Sequence, residues 1–290
     1  MAECNIADEL TEVPEECLDR SYRTPDEIGI AMSSSISRTT ARRRHQFESS
    51  FARRTAQELG TVRAIPFDVS HTCSGLMTGV CLLVRMIRAG EVRRKVVLSK
   101  EPPIVFTATR EMEDSRDPRF STLSVGDSAV AVVADRATDD AAIINDIELV
   151  ARSEYSHSHL YGMPSDETGD LAIYTNIKEM QAENCLSPLP AFHRDSRFAD
   201  DVDGFVVQHQ VGSRFIDLMI QLDESVFTAP TPPSLSVVDK SANTPTSHCL
   251  ALHQVPAERR TPKGSKVLLM PAASGVVTSF LSATASCLEV

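Results

Sequence analysis

Apolar residues along the chain fall in short runs broken by polar, Gly- and Pro-containing stretches. Ile28-Gly29-Ile30-Ala31-Met32 is one such run, ending in Ser33-Ser34-Ser35, and predicts a buried strand. Similar runs predict strands over 65–69, 95–99, 129–133, 143–150, 203–208 and 266–270, the third of these entered through the turn Val125-Gly126-Asp127-Ser128. Between 74 and 89 the pattern changes: Leu76, Met77, Val80, Cys81, Leu83, Val84 and Ile87 are apolar nearly all round, and Gly90 ends the run. A helix apolar on most of its faces is a central, buried one. Further helices are predicted over 47–59, closed by Gly60, and over 176–183, 213–222 and 246–254. Residues 1–26 are acidic and low in β-formers, the rest of 153–200 reads as loop, and 228–236 as a Pro-rich surface connection. Short apolar strands alternating with helices define an α/β protein with a mixed or parallel sheet.

Composition narrows the class. The 290 residues suffice for one large domain or two fused ones, and 42% hydrophobic with 24% charged is ordinary for a soluble globular chain. No stretch approaches the roughly 18 consecutive apolar residues of a membrane span, and Met1-Ala2-Glu3-Cys4 does not open a secretory signal, so the expectation is a cytosolic protein without a membrane partner. Seven cysteines without a CxxC or a Cys/His metal spacing point to thiols rather than a disulfide scaffold. A net charge of −11 argues against a nucleic-acid partner. The charge is uneven, however: Arg38, Arg42, Arg43, Arg44, Arg53 and Arg54 stand against the single acid Glu48. This segment is either a solvated helix face with its loop or a landing patch for an anionic partner.

Among the seven thiols, Cys73 has a distinctive place, between the strand at 67–69 and the start of the buried helix. Unpaired N–H groups and the positive end of the helix dipole there favour thiolate, the nucleophilic form, and Ser74-Gly75 lets the backbone turn and a substrate approach. Taken alone, such a cysteine reads more often as an inert core residue. His209 ends a predicted strand, at the edge where α/β proteins place ligands, and Asn243 lies in the loop Ser241-Ala242-Asn243-Thr244. A Cys/His/Asn set suits acyl transfer, in which a thiolate attacks a thioester while imidazole and carboxamide stabilise charge on a second oxygen. A strand-end histidine can also be structural and a loop asparagine a turn residue. His71 could act on Cys73 or simply form part of its turn. His157, His159 and His193 lie in polar stretches without metal spacing, and His248 and His253 are not on one helix face.

In this order the motifs resemble the ketoacyl-ACP synthase III family of the thiolase-fold superfamily. Phe67-Asp68-Val69-Ser70-His71-Thr72-Cys73-Ser74-Gly75 looks like its nucleophile segment and Val125-Gly126-Asp127-Ser128-Ala129 like its Gly-Asp-Gly-Ala segment. Val207-Gln208-His209-Gln210 looks like its catalytic-histidine segment and Asn243-Thr244 like its catalytic-asparagine segment. The resemblance implies a five-layered αβαβα architecture of two similar halves, 1–140 carrying the cysteine and 141–290 carrying the histidine and asparagine. It implies acyl-CoA or acyl-carrier thioesters as substrates, with no metal or other cofactor. Cys73 would carry the acyl group, and His209 and Asn243 would hold the carbonyl of a malonyl-carrier as carbon dioxide leaves. Backbone N–H groups of Cys73 and of the Gly275 segment would form the oxyanion hole, and Arg214 would meet an acyl carrier protein. A homodimer or heterodimer is implied.

Three departures qualify the likeness. Only about 26 residues precede the strand at Ile28, so the family's first core strand is expected to be missing. The C-terminal glycine-rich loop is thinned to Ala272-Ala273-Ser274-Gly275. Gly212 replaces a family asparagine, and the segment between Ile30 and Phe47 is long and arginine-rich. Decarboxylative condensation is the leading expectation. Acyl transfer to a hydroxyl or amine, and a non-catalytic partner subunit, are the alternatives.

Overall fold

The computed structural model describes residues 6–35, 50–61, 63–91, 94–101, 128–136, 143–151, 154, 159–162, 172–175, 204–226, 232–241, 264–273 and 277–284. The chain divides into two units, Met1–Ile104 with Asp127–Thr138, and Val105–Gly126 with Asp139–Val290.

In the first unit, β1 (Ile30–Ser34), β2 (Ile65–Val69), β3 (Arg94–Glu101) and β4 (Ser128–Asp135) form one sheet in the order β2-β1-β3-β4. β1 runs parallel to both neighbours, with Ile30 opposite Ile65 on one side and Lys95 on the other, and β4 closes the sheet antiparallel to β3. All five residues of β1 are buried. Successive strand residues point to opposite faces, so both faces of the sheet are covered at its centre. The helices packed on this sheet are α1 (Ile6–Arg20), α2 (Phe51–Glu58) and α3 (Gly75–Arg88). Leu18 of α1, Ile28 and Leu59 share a core cluster with Ala131 and Val133 of β4. α3 is the buried helix its composition predicts, with Leu76, Met77, Val80, Cys81, Leu83, Val84 and Ile87 all inside. Gly60 and Gly90, at φ 70 and 78, take the left-handed conformation just past α2 and α3, the conformation that costs glycine least.

Two expectations need correction here. α1 occupies a stretch in which the pattern predicted no element; Glu, Leu and Ala favour helix, but Pro14 in its middle hides the signal. α2 starts at Phe51, not Phe47. Ser50 has non-helical backbone, and its Oγ accepts from Arg53 N at 2.9 Å. The Asp68 carboxylate of β2 accepts from Phe51 N at 3.1 Å and Ala52 N at 2.9 Å, so a strand residue completes the cap.

The second unit is built on β11 (Val277–Thr284), which pairs antiparallel with β5 (Ile143–Ala151) along one side. On its other side it pairs antiparallel with β10 (Ala272–Ala273) and β9 (Lys266–Met270), and β8 (Gly204–Gln208) continues the sheet parallel to β9. α4 (Ser213–Val226) lays Phe215 and Met219 into a cluster with Val206, Leu268, Met270, Ala272 and the fully buried Phe280. Gly204 lies so close to β9 that a Cβ there would fall on the Lys266 carbonyl oxygen. The pattern did not anticipate β11, because Ser279 and Ser282 dilute its apolar run although both are wholly buried. Within 153–200, read as loop apart from one helix, β6 (His159–Gly162) and β7 (Ala172–Thr175) pair antiparallel. α4 runs to Val226, beyond the expected end at Leu222. The Pro-rich connection is not all surface: Leu235 is buried, and α5 (Val238–Ser241) follows it. The helices expected over 176–183 and 246–254 lie outside the described residues.

Candidate active site

The local backbone explains the place of Cys73. β2 ends at Val69, and a 3-10 turn over Thr72–Ser74 leads straight into α3, with Ser74 N donating to the His71 carbonyl at 3.1 Å. Cys73 therefore stands immediately before the helix, half-buried, at the C-terminal end of a strand in a sheet with a parallel centre. In α/β sheets this end is where ligands bind. Gly75 suits this place for a reason the sequence did not show. It has no positive φ, but a Cβ on it would fall on Ser34 Oγ, so glycine permits the first turn of α3 to close against the end of β1.

The other described cysteines lack this setting. Cys17 and Cys81 are free thiols like Cys73, and burial pushes both up from the ordinary thiol value, so each is held protonated and unreactive. Cys81, on the buried face of α3, is the core residue expected.

His71 belongs to the turn. Its Nδ1 lies 2.8 Å from Thr78 Oγ1, a hydrogen bond that ties the residues before Cys73 to the first turns of α3. Burial lowers its pKa from the ordinary 6.5, so the folded protein favours neutral imidazole. The unfolded chain binds that proton more readily. The stabilisation from neutral His71 is therefore complete above about pH 6.5 and is lost as pH falls below it towards the folded-state pKa. His71→Asn keeps a polar atom near Nδ1 and removes the titration. Urea unfolding of the parent should weaken relative to this variant between about pH 6.5 and 5, with a constant difference above pH 7. A constant difference across the whole range would show that His71 titrates alike in both states.

In the second unit, β8 delivers His209 directly after its last residue, Gln208. His209 is only 3% exposed, and its ring meets Phe215 of α4 edge to face, at 6.2 Å between centroids and 88° between planes. Strand end and helix thus fix one imidazole. Gly212 supplies the carbonyl that accepts from Phe215 N and Ile216 N, each at 3.1 Å, and so starts α4. Arg214 is exposed near the beginning of that helix. Gln210, which sequence reasoning passed over, is completely buried and makes three hydrogen bonds, through Nε2 to the carbonyls of Gln208 (2.8 Å) and Leu235 (3.3 Å) and through Oε1 from Val237 N (2.9 Å). A glutamine next to a candidate catalytic histidine was the available signal.

Asn243 and Gly275 lie outside the described residues, as do Val125, Gly126, Asp127, His157, His193, His248 and His253; His159 is in β6. Among the described residues no group of three or more His, Cys, Asp or Glu side chains could hold a metal ion, and no helix is long and apolar enough to cross a membrane.

No protein-family model matches the chain. Its solved structural neighbours agree closely in fold. OleA of Xanthomonas campestris, crystallised with lauric acid and lauroyl-CoA, superposes with a TM-score of 0.80 at 18% identity over 96% of this chain and 82% of its own. The 3-oxoacyl-[acyl-carrier-protein] synthase III of Aquifex aeolicus gives 0.76 at 18% identity, covering 97% and 85%. The priming β-ketosynthase of the R1128 polyketide pathway gives 0.79 at 18%, covering 100% and 84%. The chain therefore has the thiolase fold. Among curated proteins it is 28% identical to β-ketoacyl-[acyl-carrier-protein] synthase III 2 of Streptomyces coelicolor over 230 residues, 78% of this chain and 65% of that protein. It is 27% identical to the synthase III of Acidiphilium cryptum over 226 residues, 75% and 67%. The chain has the thiolase fold, is similar in sequence to these ketoacyl-synthase III proteins, and spans about two thirds of their length.

Proposed function

We propose that this protein transfers acyl groups through an acyl-Cys73 intermediate and that the reaction is decarboxylative Claisen condensation in fatty-acid or polyketide-type synthesis. The observation that carries the proposal is the setting of Cys73: a half-buried thiol in the turn between a strand end and a buried helix, while Cys17 and Cys81 are held protonated by burial. Likeness to synthase III proteins supports the reaction class.

In the first half-reaction the Cys73 sulfur attacks the carbonyl of an acyl-CoA or acyl-carrier thioester. A C–S bond forms at Cys73, the original C–S bond breaks, and the donor thiol leaves with a proton. Backbone N–H groups of Cys73 and of the Gly275 segment stabilise the tetrahedral oxyanion. In the second, a malonyl-carrier thioester loses carbon dioxide, and the electron pair passes into an enolate whose oxygen accepts hydrogen bonds from His209 and Asn243. Its carbon attacks acyl-Cys73, the new C–C bond forms, and the Cys73–acyl bond breaks to return the thiolate. Two donors at one oxygen suit this step. Transfer to a hydroxyl or amine would need a base more than a second donor. The cysteine comes from the first half of the chain and the histidine and asparagine from the second, as the division into 1–140 and 141–290 implies. No metal or organic cofactor takes part.

Arg214, exposed on α4, is the proposed contact for an acidic acyl carrier protein. A dimer, of two copies or with a related partner, is part of the same reading. The edge position of β2 in its sheet among the described residues, with Ile65 61% exposed, supports it. The test is intact-mass spectrometry with acyl-CoA or acyl-carrier donors, followed by malonyl-carrier with capture of carbon dioxide. An acyl adduct discharged with release of carbon dioxide is the expected result. An adduct discharged only by an alcohol or amine would replace condensation with simple transfer, and no adduct would leave the chain a non-catalytic partner subunit.

A further inference from the structure

We infer that Gln210 is a positioning residue for the decarboxylation half-reaction, holding His209 in the orientation from which it donates to the enolate oxygen. The inference rests on the role proposed for His209. Along β8 the neighbouring segment is held by backbone bonds: Val206 N donates to Pro233 O at 3.1 Å and Leu235 N donates to Val206 O at 2.9 Å. β8 stops at Gln208, because the chain must turn through Val211-Gly212 into α4. From there the Gln210 carboxamide continues the ladder in place of backbone. Its NH2 group donates to Gln208 O and Leu235 O, and its carbonyl accepts from Val237 N.

Two consequences follow from this geometry. The bond from Gln210 back to the Gln208 carbonyl spans His209, so the backbone on both sides of the imidazole is fixed by one side chain, while Phe215 fixes the ring itself. The bonds to Leu235 and Val237 clamp the segment that enters α5, whose last residue, Ser241, precedes Asn243 by two positions in sequence. The amide's orientation is dictated: reversed, its oxygen would face two carbonyl oxygens and its NH2 group an N–H. A fully buried carboxamide with all three bonds made is a rigid spacer, and misplacing a catalytic donor by about 1 Å can cost on the order of 100-fold in rate. The residues of the clamp belong to the second unit and the Cys73 turn to the first. The inference therefore separates the two half-reactions.

The experiment compares the full-length parent with Gln210→Met, which fills the space without hydrogen bonds, and Gln210→Asn, which keeps the amide but is one methylene short. His209→Ala and Asn243→Ala serve as controls. Acylation of Cys73 by acyl-CoA is followed by intact mass, and decarboxylation of malonyl-carrier by release of carbon dioxide. Both Gln210 variants should acylate within about threefold of the parent yet lose at least about 20-fold in decarboxylation, in kcat rather than KM. Three results would overturn the positioning role: decarboxylation within about twofold of the parent, a loss confined to KM, or a parallel fall in both half-reactions, including one caused by unfolding in both variants. If His209→Ala and Asn243→Ala themselves decarboxylate normally, the role assigned to His209 fails, and the inference with it. Loss in those controls with retention in the Gln210 variants would sink the inference alone.

Discussion

Replacing Cys73 with alanine should abolish the acyl adduct completely, and Cys73→Ser should slow its formation by on the order of 1000-fold or more. The serine hydroxyl would occupy the same turn between β2 and α3, but an alcohol oxygen is a far weaker nucleophile towards a thioester than the sulfur it replaces. Cys81→Ala and Cys17→Ala should leave the adduct intact, because burial already holds both thiols protonated. Their effect should instead appear in stability, as expected for small buried groups. Cys73→Ala should still release carbon dioxide from malonyl-carrier, since the proposed enolate donors lie outside the turn it alters. An adduct of undiminished mass in Cys73→Ala would move the nucleophile elsewhere and dissolve the proposed mechanism.

The elements that were legible from sequence are those whose apolar residues stand close together between breakers. α3 announces itself because almost every face is apolar, and β1, β2, β8 and β9 because each is a short apolar run between breakers. β11 was not legible, although it is the strand on which the second unit is built. Its buried serines read as polar punctuation until its neighbours β5 and β9 are known to lie on either side. α1 was obscured by a proline and α2's start by a cap that arrives from Asp68, seventeen positions away. At the candidate site, the placement of Cys73 and His209 at strand ends was readable from pattern. The work of Gly75, Gln210 and the His71–Thr78 bond was not, because each depends on what another segment brings alongside: Ser34 for Gly75, Leu235 and Val237 for Gln210, and the first turns of α3 for His71. Periodicity reports which face of an element is buried. It carries no information on which distant backbone group will lie within reach of a side chain.

His209→Ala should lower decarboxylation of malonyl-carrier by about 100- to 1000-fold while Cys73 acylates at close to the parent rate. The magnitude follows from removing one of the two donors proposed for a developing oxyanion, at a position only 3% exposed. The split between half-reactions follows from the chemistry, since the acyl-loading oxyanion is assigned to backbone N–H groups that the substitution leaves in place. His209→Ala combined with Asn243→Ala should cost little more than the worse single variant, because both donors serve one oxygen and the second has little to stabilise once the enolate is poorly held. Multiplicative losses in the double variant would show instead that the two residues act at different atoms, and would favour a reaction in which His209 serves as a base for an alcohol or amine acceptor.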